Sequence, residues 1–392
     1  MGINNASSFL ADYNRVLLDS VGNNHRDNFD TRRFGTQRAI DLSSIRSSAS
    51  RLVSQLLAKA GFARTRVVFP LLRGGISFVQ PHLADLEWLY HHLADDESRK
   101  LLVQLIAYRA LGLRHVKLPL NRPEHWKLIE TIEKAAKGCE TIDSGFMGFQ
   151  LARIDLRQLG VPVTLFTVPA GASVQFLEQQ YRCVTADAAP IEAADGEVVI
   201  DAGACWGDTA LYFAAKVGPL GRVFSFEFLP ENLQVFRRNL DLNPHLKDRV
   251  VLVEHPIWSS SDQTLFINGN GPATRVELVP SAPNAPSIKT FSIDDLVARH
   301  GLDRLDFIKM DIEGAEMSAL RGAETALRRF RPELAIAVYH SLSDFWAVPQ
   351  FLDALGLGYR FYLGHFTIHA EETVLFATTM EDGAVPGSRQ TS

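Results

Sequence analysis

The stretch that decides the fold is VVIDAGACWGDT, residues 198–209. Its apolar run ends in Asp201 and is followed by a turn of small residues and by a helical pattern. A buried strand that runs into a glycine turn and a helix is typical of open α/β sheets, which bind ligands at the carboxyl ends of their strands. Gly203 and Gly207 let a ligand approach the main chain, while Asp201 offers an acceptor or a counter-charge to a cationic group. We therefore predict a cofactor site at this turn.

A second acid supports that site. Glu227 follows Asp201 by 26 residues and ends the apolar run VFSFE, residues 223–227. A carboxylate at this position can accept hydrogen bonds from both hydroxyl groups of a ribose. The dinucleotide fingerprint G-x-G-x-x-G fits poorly, because Gly203 and Gly207 are four residues apart and the third glycine is missing. The pattern therefore disfavours the main alternative on such a sheet, a NAD-linked oxidoreductase.

Apolar strands alternate with amphipathic helices after residue 196, which predicts a parallel sheet built from βα units. We expect strands at residues 197–201, 222–227, 250–254, 306–310 and 334–339, and closing antiparallel strands at 359–363 and 373–377. The helices are expected at residues 209–216, 232–240 and 315–327. The segment 253–291 contains NGNG at 268–271 and predicts an inserted loop or hairpin beside the sheet.

The length of 392 residues favours two domains. A small and acidic segment at 185–196 marks the predicted boundary, which gives an N-terminal region at 1–184, a second domain at 185–380 and a tail at 381–392. Helical patterns in the N-terminal region lie at residues 9–18, 45–57 and 83–113, the last one broken near Asp95. The sequence leaves open whether this mostly helical region selects a substrate or forms a homodimer interface.

Composition excludes several classes of protein. The chain is 46% hydrophobic and 22% charged, which is typical of globular proteins, and no apolar run reaches the ~20 residues of a membrane span. A net charge of -5 disfavours nucleic acid as a partner. No signal-peptide pattern stands at the N-terminus, so we expect a cytoplasmic protein. The three cysteines lie far apart in the sequence, which predicts reduced thiols rather than disulfides or a zinc site.

A third motif, FIKMDIEGAE at residues 307–316, places Asp311 at the end of the fourth strand. Glu313 and Glu316 follow it, and the plain interpretation of Glu316 is a charge that favours a helix N-terminus. A metal site built from Asp311, Glu313 and His340 is the weaker interpretation of this spacing, so we predict no metal.

Together these motifs resemble the FkbM-type methyltransferase family: DAGACWGDT at 201–209, FEFLPENL at 226–233 and FIKMDIEGAE at 307–316. The resemblance covers about residues 180–380. It implies a Rossmann-like class I methyltransferase sheet, S-adenosylmethionine as cofactor, and methyl transfer to a hydroxyl group of a sugar, polysaccharide precursor or natural product. The residues expected to contact the cofactor are Asp201, Gly203, Ala204, Cys205, Gly207, Asp208, Thr209, Glu227, Phe228, Asn232 and Glu254.

Methyl transfer to a hydroxyl group benefits from a proton acceptor. The resemblance implies that Asp311 lies at the reaction centre. His340 follows the apolar run AIAVY, residues 335–339, and is predicted to act as a neutral imidazole base at the cofactor edge, with His365 as a second candidate. The motifs concern the cofactor, so methylation of nitrogen or carbon stays open. Methylation of a nucleic-acid base is disfavoured, because no N-P-P-Y or D-P-P-Y run follows the fourth strand.

Overall fold

The computed structural model describes residues 8–32, 63–146, 148–185, 189–269, 274–280 and 282–379. The strands are β1 (Thr141–Asp143), β2 (Gln150–Asp155), β3 (Thr164–Thr167), β4 (Val198–Ala202), β5 (Arg222–Phe226), β6 (Val250–Val253), β7 (Thr264–Asn268), β8 (Arg275–Glu277), β9 (Ser287–Lys289), β10 (Phe307–Met310), β11 (Glu333–Ala337), β12 (Arg360–His365) and β13 (Thr373–Thr378). The helices are α1 (Phe9–Ser20), α2 (Ala63–Val79), α3 (Leu83–His92), α4 (Asp96–Leu111), α5 (Pro123–Ala136), α6 (Pro169–Ala172), α7 (Asp208–Lys216), α8 (Pro230–Asp241), α9 (Pro244–Lys247), α10 (Ile293–His300), α11 (Glu316–Arg321), α12 (Glu324–Phe330) and α13 (Asp344–Ala354). The predicted helix at 45–57 and the predicted tail at 381–392 lie outside the described residues.

The central sheet has seven strands in the order β12-β13-β11-β10-β4-β5-β6. Its middle strands are parallel, and β13 runs antiparallel to β11. Every residue of β10 and β11 is buried, as expected for a parallel sheet that is covered on both faces. This order and its antiparallel strand confirm the predicted Rossmann-like class I methyltransferase sheet. The carboxyl ends of β4, β5 and β10 meet at one edge.

Most predicted elements of the sheet are confirmed to within about two residues at each end, the usual uncertainty of such boundaries. The single helix predicted at 315–327 was wrong, because α11 ends at Arg321 and α12 begins at Glu324. A Cβ on Gly322 between them would lie 2.1 Å from the carbonyl oxygen of Trp258, so the helix breaks where the chain passes this backbone. Only glycine allows that close approach.

Two small antiparallel sheets accompany the central one. The predicted insertion folds into three strands in the order β8-β7-β9. A second sheet, β1-β2-β3, lies in the region predicted to be mostly helical and was missed. It packs through Leu151 and Phe166 on Trp206 and Val235 in one buried hydrophobic cluster. Its strands were missed because they are three to six residues long and carry little alternation.

The chain forms two compact units. The smaller unit comprises Met1–Trp126 and His365–Glu371, and the larger unit comprises Lys127–Gly364 and Glu372–Ser392. The larger unit therefore includes the sheet β1-β2-β3, which packs on Trp206 of the glycine turn. The compact units thus divide the chain after Trp126, before the predicted boundary at residue 185. That boundary, as the start of the second domain, stays a prediction.

The smaller unit is helical in its first part. Phe9 and Tyr13 of α1 are fully buried, and their rings stack with centroids 5.5 Å apart. The carboxylate of Glu87 accepts hydrogen bonds from the backbone N–H groups of Phe9 and Leu10, which satisfies two of the free donors at the start of α1. Asp95 caps α4 by accepting from Ser98, which confirms the predicted break. Within the described part of the chain, no helix has the length and apolar character that a bilayer crossing needs.

Candidate active site

The glycine turn joins β4 to α7 at the centre of the sheet edge. Gly203 and Gly207 both have positive φ, 85° and 81°. A Cβ on Gly203 would lie 1.9 Å from the carbonyl oxygen of Asp311, and one on Gly207 would lie 2.2 Å from the ring of Phe236. The glycines were predicted to make room for a ligand, but the atoms that require them belong to the protein. The turn thus packs directly against the segment that carries Asp311.

A buried ion pair lies beneath the turn. Asp201 is fully buried and Lys309 is 1% exposed, and the lysine Nζ lies 3.2 Å from the Asp201 Oδ1. Lys309 also donates to the backbone oxygens of Ala202 and Gly203. The second carboxylate oxygen, Oδ2, accepts hydrogen bonds from Thr209 and Ser225. We therefore revise the predicted roles of Asp201 and Thr209 from cofactor contacts to residues that hold the turn in place.

A cavity of about 80 Å³ opens at the carboxyl ends of β4, β5 and β10. The predicted residues that line it are Gly203, Cys205, Glu227, Phe228, Asn232 and Asp311. The predicted residues that do not line it are Asp201, Ala204, Gly207, Asp208, Thr209, Glu254, His340 and His365. The inserted sheet contributes Thr274 and Val276, which sequence reasoning missed because the insertion carries no recognisable motif.

Glu227 stands on one side of the cavity. It is 7% exposed, and its carboxylate accepts hydrogen bonds from the N–H groups of Phe228 and Leu229 and from the side chain of Asn232. Burial raises the pKa of Glu227, and these hydrogen bonds oppose the rise. Asn232 also lines the cavity, and its buried Oδ1 atom has no hydrogen-bond partner among the described residues. Glu227 and Asn232 thus present acceptor atoms suited to hydroxyl groups.

Glu254 has a different position from the one predicted. Its carboxylate is half exposed and pairs with Arg237, with the Nη2 and Oε1 atoms 2.5 Å apart. Glu254 does not line the cavity, although the three residues that follow it, 255–257, do. We therefore withdraw Glu254 as a cofactor contact.

Asp311 stands on the other side of the cavity, directly after β10. Tyr339 donates a hydrogen bond of 3.1 Å to its Oδ1, and Tyr181 donates one of 3.3 Å to its Oδ2. Burial raises the pKa of Asp311, and the charge of His340 acts in the opposite direction. Tyr181 was missed because it lies 130 residues away in the sequence. The two tyrosines fix the orientation of the carboxylate from both sides.

His340 is surrounded by carboxylates. Its Nε2 lies 3.4 Å from Asp311 and 3.6 Å from Glu313, and its Nδ1 lies 3.1 Å from Glu316. Burial lowers the pKa of His340, but the three carboxylates outweigh it and raise the pKa to about 9. The raised pKa disfavours the predicted neutral base, since an imidazolium has no free lone pair. The pKa of His340 is thus raised by carboxylates that only folding brings close to it.

His365, the second base candidate, is the last residue of β12 and is 9% exposed. It does not line the cavity, and it belongs to the smaller of the two compact units. The structure thus gives no support to a role for His365 in proton transfer at Asp311.

Asp208 opens α7 and is 6% exposed. Burial raises its pKa to about 6, and Lys309 opposes the rise. An unfolded aspartate has a pKa of about 3.9, so the native state binds more protons between these values and loses stability as pH rises through them. Asp208→Asn removes that cost. We expect it to stabilise the chain by about 1–3 kcal/mol at pH 8 and to have little effect near pH 4, measured by denaturant unfolding at both pH values.

The matched control for that prediction is Asp248→Asn, at an exposed position of the larger unit. It should change stability little at either pH. A gain from Asp208→Asn that is equal at pH 4 and pH 8 would contradict the burial argument.

Comparison with known proteins gives the site its context. A family model described as methyltransferase FkbM domain matches residues 193–361. The hexuronic acid methyltransferase AglP of Haloferax volcanii is 29% identical over 137 residues, which cover 35% of this chain and 54% of that protein. A protein-L-isoaspartate O-methyltransferase of Methanothrix thermoacetophila is 30% identical over 96 residues, which cover 24% of this chain and 42% of that protein. The chain thus spans about half the length of the curated relatives that it matches.

Among solved structures, methyltransferase FkbM from Methylobacillus flagellatus aligns with 85% of this chain and 71% of its own, at 18% identity and a TM-score of 0.47. The family match includes the glycine turn, Glu227 and Asp311, while Tyr181 precedes it. Residues 193–361 of this chain therefore match the methyltransferase FkbM domain.

Proposed function

We propose that the protein transfers a methyl group from S-adenosylmethionine to a hydroxyl oxygen of a sugar or a related polyhydroxy compound. The observation that carries the proposal is that Glu227 and Asp311, on the ends of two strands, line the same cavity on either side of Gly203. The acceptor class is supported by AglP, whose name gives hexuronic acid as its substrate. Methylation of nitrogen or carbon would use the same cofactor residues and is separated by the choice of acceptor.

The residues of the cavity fit the cofactor. Glu227 and the unpartnered oxygen of Asn232 suit the hydroxyl groups of a ribose, and Phe228, Leu229 and Ile257 offer apolar surface to a purine ring. S-adenosylmethionine supplies, when bound, an electrophilic methyl group on a cationic sulfur. The carboxylate of Asp311 lies on the side of the cavity away from Glu227's strand and offers that cation a counter-charge.

The protein's own part in the reaction is orientation and proton transfer. Asp311 would accept, on a carboxylate oxygen, the proton that the acceptor hydroxyl group releases when it takes the methyl group from the sulfur. Burial raises the pKa of Asp311, which makes it a stronger base than an exposed aspartate, and Tyr181 and Tyr339 hold it in one orientation. Alignment of the reacting atoms adds a contribution that can reach roughly 7–11 kcal/mol in favourable cases.

A thermal-shift titration with S-adenosylhomocysteine tests the cofactor. At about 100 times its Kd, the ligand is expected to stabilise the native chain by about 2.7 kcal/mol, or roughly 5–10 °C for a domain of this size. Glu227→Gln should abolish most of the shift, because it removes the charge that attracts the ribose hydroxyl donors. Glu254→Gln should keep the shift, since Glu254 pairs with Arg237 outside the cavity.

NAD serves as the comparison ligand in the same titration. A shift with NAD, or none with S-adenosylhomocysteine, would overturn the proposed cofactor. Once cofactor binding is established, a panel of hexuronic acids, neutral sugars and amines identifies the acceptor class by product mass.

A further inference from the structure

A cluster of three potential metal ligands includes Asp311, which lines the cavity. Asp311, Glu316 and His340 each offer one ligand atom, and these atoms all lie within 4.8 Å of one another. We call these residues the His340 cluster. Asp311 reaches it from the end of β10, Glu316 from the start of α11 and His340 from the segment after β11. The sequence alone places Glu316 only at a helix start, whereas the fold turns its carboxylate toward His340.

The state of His340 points independently to a ligand. Its side chain is 4% exposed, yet within the described ranges neither ring nitrogen has a hydrogen-bond partner. The carboxylates contact it at 3.1–3.6 Å without the alignment of a hydrogen bond. His369 shows the usual arrangement of a buried histidine, because its Nε2 accepts from the backbone of Asp30 and its Nδ1 contacts the Tyr108 hydroxyl at 2.8 Å. Buried polar atoms without partners are rare and call for an explanation.

The charges around His340 point the same way. Asp311, Glu313 and Glu316 all contact the ring, so three carboxyl groups surround a single imidazole. The charge of Lys309 lowers the pKa of Asp311, but this lysine forms its ion pair with Asp201. Arg275 acts on Glu313 from an exposed position. An excess of negative charge in a buried site favours a bound cation.

We propose that Asp311, Glu316 and His340 bind one divalent cation. A bound cation displaces the proton of His340, because the ligand is the neutral imidazole. The imidazole and two carboxylates then form a mixed set of oxygen and nitrogen ligands, which suits Mn²⁺ and related metals better than Ca²⁺, since Ca²⁺ prefers oxygen ligands alone. Asp311 lines the cavity, so the open coordination positions would face it. Binding of a cation at this site does not depend on the proposed function. The use of the cation does rest on that function: a cation there would lower the pKa of an acceptor hydroxyl group that it binds.

Binding of Mn²⁺ to the full-length chain, freed of metal with a chelator, tests the site directly. We expect one Mn²⁺ per chain, measured by loss of the free-ion signal in electron paramagnetic resonance. Removal of even an outer-shell partner commonly costs about 10- to 100-fold in metal affinity, so His340→Gln and Glu316→Gln should each weaken binding at least about tenfold. His255→Gln is the matched control, because His255 lines the same cavity outside the cluster and should leave the Kd unchanged.

Electron spin echo spectra of the Mn²⁺ complex add a second readout, which detects the nitrogen ligand directly. A ¹⁴N coupling from one imidazole, lost in His340→Gln but kept in His255→Gln, is the expected result. The inference is overturned if the unaltered chain binds no Mn²⁺ at millimolar concentration or shows no nitrogen coupling. Equal affinity in a folded His340→Gln chain, checked by circular dichroism, would also overturn it. The titration with S-adenosylhomocysteine is run without metal, so failure of the cofactor proposal is seen separately.

Discussion

Asp311→Asn is expected to lower the rate of methyl transfer by a factor of about 10²–10⁴, the usual contribution of a positioned general base. The substitution keeps the size of the side chain and one acceptor oxygen, so one of the two tyrosine hydroxyl groups, of Tyr181 or Tyr339, keeps its acceptor. It removes the charge that accepts the acceptor's proton. The rate is measured as kcat with saturating cofactor, and the thermal shift with S-adenosylhomocysteine shows whether the cofactor still binds. We expect the shift to persist, since Glu227 lies on another strand.

Glu313 provides the critical comparison. It lines the same cavity, and burial raises its pKa to about 7, which would suit a base at neutral pH. Two tyrosines hold the carboxylate of Asp311, whereas Glu313 contacts the Nε2 of His340 at 3.6 Å. We therefore expect Glu313→Gln to reduce kcat far less than Asp311→Asn. The reverse order would assign proton transfer to Glu313, and equal activity of Asp311→Asn and the unaltered chain would remove Asp311 from the mechanism.

The part of the fold that the sequence predicts well is the part set by local patterns. The strand that ends near Asp201, the glycine turn and the following helix are neighbours in the sequence, and their periodicity identifies them without knowledge of the rest. Glu227 follows from the same logic, since parallel strands end at a common edge. The helix break at Gly322 cannot be predicted from local patterns, because its cause is the backbone of Trp258, 64 residues away in the sequence.

The site is predicted less completely because its electrostatics depend on contacts distant in sequence. A lysine within the apolar run of β10 is the signal that could have indicated Lys309, since a charge in a buried strand needs a partner. The proton on His340 depends on Glu316, whose carboxylate contributes only after α11 has docked. The surface position of Glu254 likewise depends on Arg237.

Lys309→Met is expected to destabilise the chain by about 3–5 kcal/mol, because it leaves the fully buried carboxylate of Asp201 without a counter-charge. Methionine fills a similar volume, so little of the loss should come from packing. The lysine also donates to the backbone oxygens of Ala202 and Gly203, and we expect the glycine turn and the response to S-adenosylhomocysteine to be lost with it. Denaturant unfolding followed by circular dichroism measures the first effect.

The double variant Asp201→Asn with Lys309→Met separates the ion pair from the other contacts of the lysine. Asparagine still accepts from Thr209 and Ser225 but carries no charge, so the buried ion that remains in Lys309→Met is gone. We expect the double variant to lose about 1–3 kcal/mol less than the sum of the two single variants. Exact additivity would mean that the two charges do not stabilise each other, and Lys309 would then act only through the backbone oxygens of the turn. In that case the double variant should still fail to respond to S-adenosylhomocysteine, because the carbonyl groups of Ala202 and Gly203 would lack their donor.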